Sequence, residues 1–247
     1  MTGAGDRRTV ADQSVEQMGG RTSILARQRA DHERLDRLMD RARATRETGG
    51  VEHAKTLRAL ARLVFAHAFA EEAVLFPAAR RVLPEGEPLT LHIERAHQQV
   101  DELVSRLDRS SERDPGHAAL LEQTFAVLDE DVRSEEDQLL PRLQQLLSPR
   151  QLRTLGWQWE LVRRVSPTRA HPTVSRRPPG QTLSALPLTL LDRSRDQLQR
   201  VDELTRGRFG GLLGTADRGL AATAGAVERS PVVQRGERAE TEHRRHD

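Results

Sequence analysis

The chain has 247 residues, of which 31% are charged, and its 39 Lys or Arg against 37 Asp or Glu leave a formal net charge of only +2. This balance of sign gives no reason to expect a nucleic-acid partner, and no apolar run or signal-peptide core points to a membrane, so a soluble, cytoplasmic protein is expected. Cysteine and tyrosine are absent and aromatics make up 3%; that excludes disulfides, thiolate nucleophiles and sulfur-ligated metals, argues against an aromatic-rich β core, and leaves imidazole and carboxylate ligands open.

Residues 1–21 show no period and are expected to be disordered. From Thr22 or Ser23, either a suitable N-cap, the pattern turns helical, with Leu25, His32, Leu35, Met39 and Ala42 on one stripe and Gly49-Gly50 at its end. A second helix from near Val51 carries Leu57, Leu60, Val64, His67, Glu71, Val74 and Ala78 and closes at Pro84-Glu85-Gly86. The third, from about Glu87 to Arg109, places Ile93, His97, Val100, Val104 and Leu107 together. After a turn from Ser110 to Gly116, the fourth runs to about Leu147 with Leu121, Phe125, Leu128, Asp131, Glu135 and Leu139 near one face. Pro77 and Pro141 are expected to bend or end their helices.

Four long helices joined by short connections predict an all-α fold, an up-down-up-down four-helix bundle. Ser148-Pro149 opens a short fifth helix whose Leu152, Leu155, Trp159 and Val162 face the bundle end, so this unit spans 22–165. Residues 166–187 read as a Pro/Arg-rich linker. Residues 188–247 form a largely flexible C-terminal extension, helical from Leu188 to about Arg206 and otherwise disordered.

The segment His67-Ala68-Phe69-Ala70-Glu71-Glu72-Ala73-Val74-Leu75-Phe76-Pro77 returns as Asp131-Val132-Arg133-Ser134-Glu135-Glu136-Asp137-Gln138-Leu139-Leu140-Pro141. His97 follows His32 by 65 residues, and Asp131 and Glu135 follow His67 and Glu71 by 64. The chain therefore holds a duplicated helix hairpin, and each helix sets ionisable groups in its apolar stripe. Burying six such groups is costly unless cations compensate. Two divalent ions fit: His32 and His67 mainly on one, His97 and Asp131 mainly on the other, and Glu71 and Glu135 bridging. Iron suits this ligand set best, with manganese or zinc as alternatives. Glu72 and Glu136, about 100° around an α-helix from their neighbours, are expected to be solvated or to support the ligands. His92 is expected to be structural or on the surface, and His53, His117, His171, His243 and His246 on the surface.

Over roughly Ser23 to Leu147 the sequence resembles the hemerythrin-like, or HHE cation-binding, domain family. The resemblance rests on His67-x-x-x-Glu71-Glu72-x-x-Leu75-Phe76-Pro77, on the Asp-Gln-Leu-Leu-Pro run ending at Pro141, and on the isolated His32 and His97. It implies a four-helix bundle around a non-haem di-iron centre that binds or senses dioxygen, holds iron, or responds to nitric oxide or peroxide. Two departures stand out. The family usually has histidine where this chain has Asp131, and oxygen carriers have another histidine where it has Ile93. The site is thus richer in carboxylate than an oxygen carrier's.

The expected function is that of a di-iron protein meeting a small diatomic ligand or peroxide, its protein partner unknown. No separate acid, base or nucleophile stands out, so no catalytic residue is assigned and only a weak catalase- or oxidase-like activity stays open. The alternative is a degenerate, metal-free helical bundle acting as a structural or regulatory interaction module. A zinc- or manganese-dependent hydrolase ranks last.

Overall fold

The Ser23 hydroxyl accepts from the Leu25 N–H and starts α1 (Ile24–Thr45). Gly49, at φ 57°, turns the chain into α2 (Gly50–Ala70). In this computed structural model, residues 9–111, 114–205 and 208–241 are described, and among them all regular structure is helical, with no strand.

Past Ala70 the helix widens. Glu71–Leu75 forms a π turn in which the Phe76 N–H reaches back five residues to the Glu71 carbonyl, and the chain continues as α3 (Phe76–Val82). After α4 (Gly86–Arg109) the same event recurs: α5 (His117–Ser134) passes through a π turn at Glu135–Leu139, closed by the Leu140 N–H on the Glu135 carbonyl, into α6 (Leu140–Leu146). Pro77 and Pro141 come one residue after these turns, behind Phe76 and Leu140. A proline lacks the N–H that would bond four residues back, and its ring crowds that carbonyl. An inserted residue per turn relieves both problems, so of the two expectations, a bend or an end, neither proline ends its helix; each is accommodated by a local distortion, a π turn.

α1 packs on α2, α4 on α5, and α3 against α4. Ser148 and Gln151 form a capping box at the start of α7 (Pro149–Arg164), which lies against α1, α2 and the first π turn. Two apolar clusters result. One gathers Leu25, Phe76, Ile93, Leu139 and Trp159; the other gathers Met39, Val64, Val100, Phe125 and Leu128. Along the helices the stripe histidines, Asp131 and Glu135 fall between members of the two clusters, as His97 does between Ile93 and Val100. A polar layer is thereby closed on two sides by hydrocarbon.

The flanking segments differ from expectation. Within residues 9–21, expected to be disordered, Val10 and Met18 are 0% exposed and join the first cluster; two apolar residues in a polar stretch make no period, yet they suffice to anchor it. The expected linker is docked, burying Ser166, Thr168, Ser175 and Arg176. α8 (Gly180–Leu204) starts within that stretch and runs through Pro187. A further helix, α9 (Gly210–Glu228), forms in the Gly/Ala-rich region by packing on α8. His171, expected at the surface, is half-buried between Asp192 (3.1 Å) and Glu228 (2.9 Å) and ties the segment to both helices. His53 is fully buried, against Thr45, whereas His92 is exposed. Residues 1–8 and 242–247, with His243 and His246, lie outside the described residues. Among those described, no helix is long and apolar enough to cross a membrane.

Two predictions follow from this packing. A Cβ on Gly156 would sit 2.1 Å from the Thr22 carbonyl oxygen and 2.8 Å from the Ile24 nitrogen, so Gly156→Ala, which favours an isolated helix, should here destabilise by about 1–3 kcal/mol in chemical unfolding. For His171, burial works against the charge, but Asp192 and Glu228 outweigh it and raise the imidazole from 6.5 to about 9. Its stabilisation is complete below about 6.5 and is lost as pH rises through about 9. Stability in chemical unfolding should fall across that window, and His171→Ala should remove this part of the pH dependence.

Candidate metal centre

Each helix delivers its group for a local reason. His32 on α1, His67 on α2 and His97 on α4 lie on the inward stripes. Asp131 lies on α5, and Glu71 and Glu135 each open a π turn. The structure brings all six into one layer. His32 Nε2 lies 3.3 Å from Glu135 Oε2, and His67 Nε2 lies 3.2 Å from Glu71 Oε1. His97 Nε2 lies 3.5 Å from the other oxygen of Glu71 and 3.4 Å from Asp131 Oδ2. Glu71 is 0% exposed.

Ligand-type atoms converge in two groups, each within 4.8 Å: His32, His67 and Glu135, and then Glu71, His97 and Glu135. Glu135 belongs to both, and Glu71 turns one oxygen towards each side. Five buried atoms here lack any hydrogen-bond partner: His32 Nε2, both Glu71 carboxylate oxygens, Asp131 Oδ1 and Glu135 Oε2. Polar atoms buried without partners are rare and unfavourable. Cations among nitrogen and oxygen donors would satisfy them, so the residues present fit divalent metal ions.

The electrostatics point the same way. Burial, then the Glu71 charge, pushes Glu135 up to about 8. Burial opposes ionisation of Glu71 too, but the charge of His67 beside it outweighs this and holds it down, at about 2. Burial would lower His32, yet Glu135 and Glu136 raise it to about 9. Neighbouring carboxylates also hold His67 and His97 well above the ordinary range despite burial. Mutual repulsion keeps the two central carboxylates from both ionising freely without a cation.

Behind each imidazole stands a carboxylate that fixes the ring. Glu136 accepts from His32 Nδ1 at 2.7 Å, Glu72 from His97 Nδ1 at 2.8 Å, and Asp31 from His67 Nδ1 at 3.4 Å. Such bonds leave Nε2 free to face a metal and set its tautomer. Glu72 and Glu136 reach these positions because the π turn breaks the 100° rotation, letting neighbouring glutamates both serve the layer. Asp31 was missed, although the duplication held a signal: its counterpart is Ala96, in the half where Asp131 replaces the histidine. Trp159 meets the His67 ring edge-on at 5.4 Å, and Phe76 stacks on His97 at 5.7 Å. A cavity of about 80 Å³ adjoins the layer, lined on one side by His32, His67, His97, Asp131 and Glu135 and on the other by the docked C-terminal segment.

The family model described as the hemerythrin HHE cation binding domain matches residues 23–143. An uncharacterised hemerythrin-like protein of Schizosaccharomyces pombe is 24% identical over 135 residues. That alignment covers 54% of this chain and 66% of the relative, a little under two thirds of its length. No solved structure matches at comparable significance.

Burial and the Glu71 charge both disfavour ionisation of Glu135, and glutamine keeps its shape without the charge, so Glu135→Gln should leave the unfolding temperature of the metal-free protein close to that of the parent. It should also abolish most of the rise that saturating ferrous ion produces in the parent. Thermal melts with and without the ion make the comparison.

Proposed function

Residues 23–143 belong to the hemerythrin HHE cation-binding domain family, and from that premise we propose that the chain is a non-haem di-iron protein. Its ligand is small: dioxygen, peroxide or nitric oxide, sensed or reacted with, or else the centre holds iron. On this reading α1, α2–α3, α4 and α5–α6 are the four helices of an up-down-up-down bundle, and the protein works in the cytoplasm. The single observation that carries the proposal is the enclosed layer of three imidazoles and three carboxylates, whose central carboxylate oxygens accept no hydrogen bond.

His32 and His67 hold one ion and His97 and Asp131 the other. Glu71 and Glu135 lie between them, as the two directions of Glu71 and the double membership of Glu135 support. Two iron ions there would supply one-electron redox chemistry and open coordination positions. The chain's own groups do the rest. Glu136, Asp31 and Glu72 orient the rings, Phe76 and Trp159 exclude water, and the two apolar clusters lower the local polarity. An 80 Å³ cavity is smaller than the roughly 150 Å³ that admits benzene. That favours a ligand of a few atoms over an organic substrate. Aspartate in place of the usual histidine at 131 makes the centre more anionic than an oxygen carrier's, which favours higher oxidation states over reversible oxygen carriage.

Anaerobic ferrous loading followed by desalting should leave two irons per chain, and air should then bring up near-ultraviolet and visible charge-transfer absorption. A folded chain that retains no iron would count against the proposal and for the metal-free scaffold. Asp131→His should shift the absorption towards that of imidazole-rich centres; an unchanged spectrum would place Asp131 outside the coordination sphere.

A further inference from the structure

The matched domain ends at residue 143, but the polar environment of the layer does not. Arg176, from the docked segment, is 7% exposed and reaches three acceptors. Its Nη1 donates to Glu72 Oε1 at 2.8 Å, and its Nη2 donates to Gln98 Oε1 at 3.0 Å and to the Asp101 carboxylate. Gln181, at the start of α8, donates to the other oxygen of Glu72 at 3.2 Å. Glu72 Oε1 is the atom that accepts from His97 Nδ1. Both oxygens of the carboxylate behind His97 are therefore held from outside the domain.

Among the described residues, the other half of the duplication has no such device. Glu136, the counterpart of Glu72 behind His32, has a side chain 12% exposed against 4% for Glu72. Asp36, the counterpart of Asp101, is exposed, whereas Asp101 is buried. Water can solvate the first carboxylate pair, while the second lies under the docked segment and needs a built-in cation. A forked guanidinium spanning two carboxylates fixes their geometry in a way an ammonium does not. Arg177, next in the chain, faces elsewhere: it pairs with Glu94 and Glu87 and makes no bond to Glu72.

We propose that Arg176 is a positioning residue for the metal centre: the C-terminal segment, by clamping Glu72, orients His97 and sets the affinity and ligand field of the ion His97 serves. This rests on the two-metal reading above. The two ion positions are then unequal by construction. The one served by His32 and His67 is completed within the domain, and the one served by His97 and Asp131 depends on residues 176 and 181.

The test titrates full-length metal-free protein with cobaltous ion, reading visible absorption and bound metal, for the parent, Arg176→Gln, Arg176→Lys and Arg177→Gln. The parent should bind two ions. Arg176→Gln should weaken one of the two by about 10- to 100-fold, the range typical for losing a group that orients a ligand. It should also change that ion's absorption band and leave the other ion as in the parent. Arg176→Lys, which keeps the charge without the fork, should fall between and stands in if the glutamine variant does not fold. Arg177→Gln should match the parent in both affinities. Two ions bound by Arg176→Gln with parental affinities and bands overturn the proposal alone. Equal weakening in Arg176→Gln and Arg177→Gln also overturns it, showing only that docking matters. A parent that binds fewer than two ions overturns the two-metal reading, and this inference with it.

Discussion

Three carboxylates and three imidazoles buried between two apolar clusters form the interaction on which the rest of the structure depends. Hydrocarbon on two sides raises the cost of every charge in the layer, and Glu71 and Glu135 repel one another at its centre. The fold answers partly with its own groups, through carboxylates behind each ring and π turns that aim paired glutamates inward. What these leave unsatisfied, the oxygens of Glu71 and one of Glu135, is the part a cation would satisfy. The site is less stable than a hydrophobic layer would be, and that is the usual sign that function rather than stability selects it.

The π turns connect sequence to site most directly. Proline directly after an acid-acid-x-x-apolar-apolar run removes a backbone donor in both halves, and the helix accommodates it by widening where ligands are needed. The result is local rather than terminal: α3 and α6 both continue for seven residues, and α6 still contributes Leu140 and Leu143 to the first cluster.

The duplication made much of the centre legible. His32, His67, Glu71, His97, Asp131 and Glu135 could be picked out because each recurs in register on an apolar stripe, where an ionisable residue needs a reason. Helix existence was legible for the same cause, since the 3.6-residue period is strong from residue 23 to 147. For Glu72 and Glu136 a supporting role was one of two expectations and is the one seen; the π turns that aim them were not legible, because the 100° step assumes an unbroken α-helix. Arg176 was invisible for a different reason. It lies 104 residues from Glu72 in a Pro- and Arg-rich stretch whose composition resembles a solvated linker, and only long-range packing shows that its charge is needed inside. Val10 and Met18 were lost similarly, too few to make a pattern yet fully buried.

The asymmetry between the halves gives the molecule its individual character. Where one half pairs His67 with Asp31, the other has Asp131 and Ala96; where one leaves its backing carboxylate near solvent, the other covers it with residues beyond the matched domain. The most direct measurement of the central claim is anomalous X-ray scattering at the iron edge from crystals of the ferrous-loaded chain. The account predicts two peaks inside the layer, one beside His32 and His67 and one beside His97 and Asp131, with Glu71 and Glu135 between them. A single peak, peaks elsewhere on the molecule, or none would contradict it.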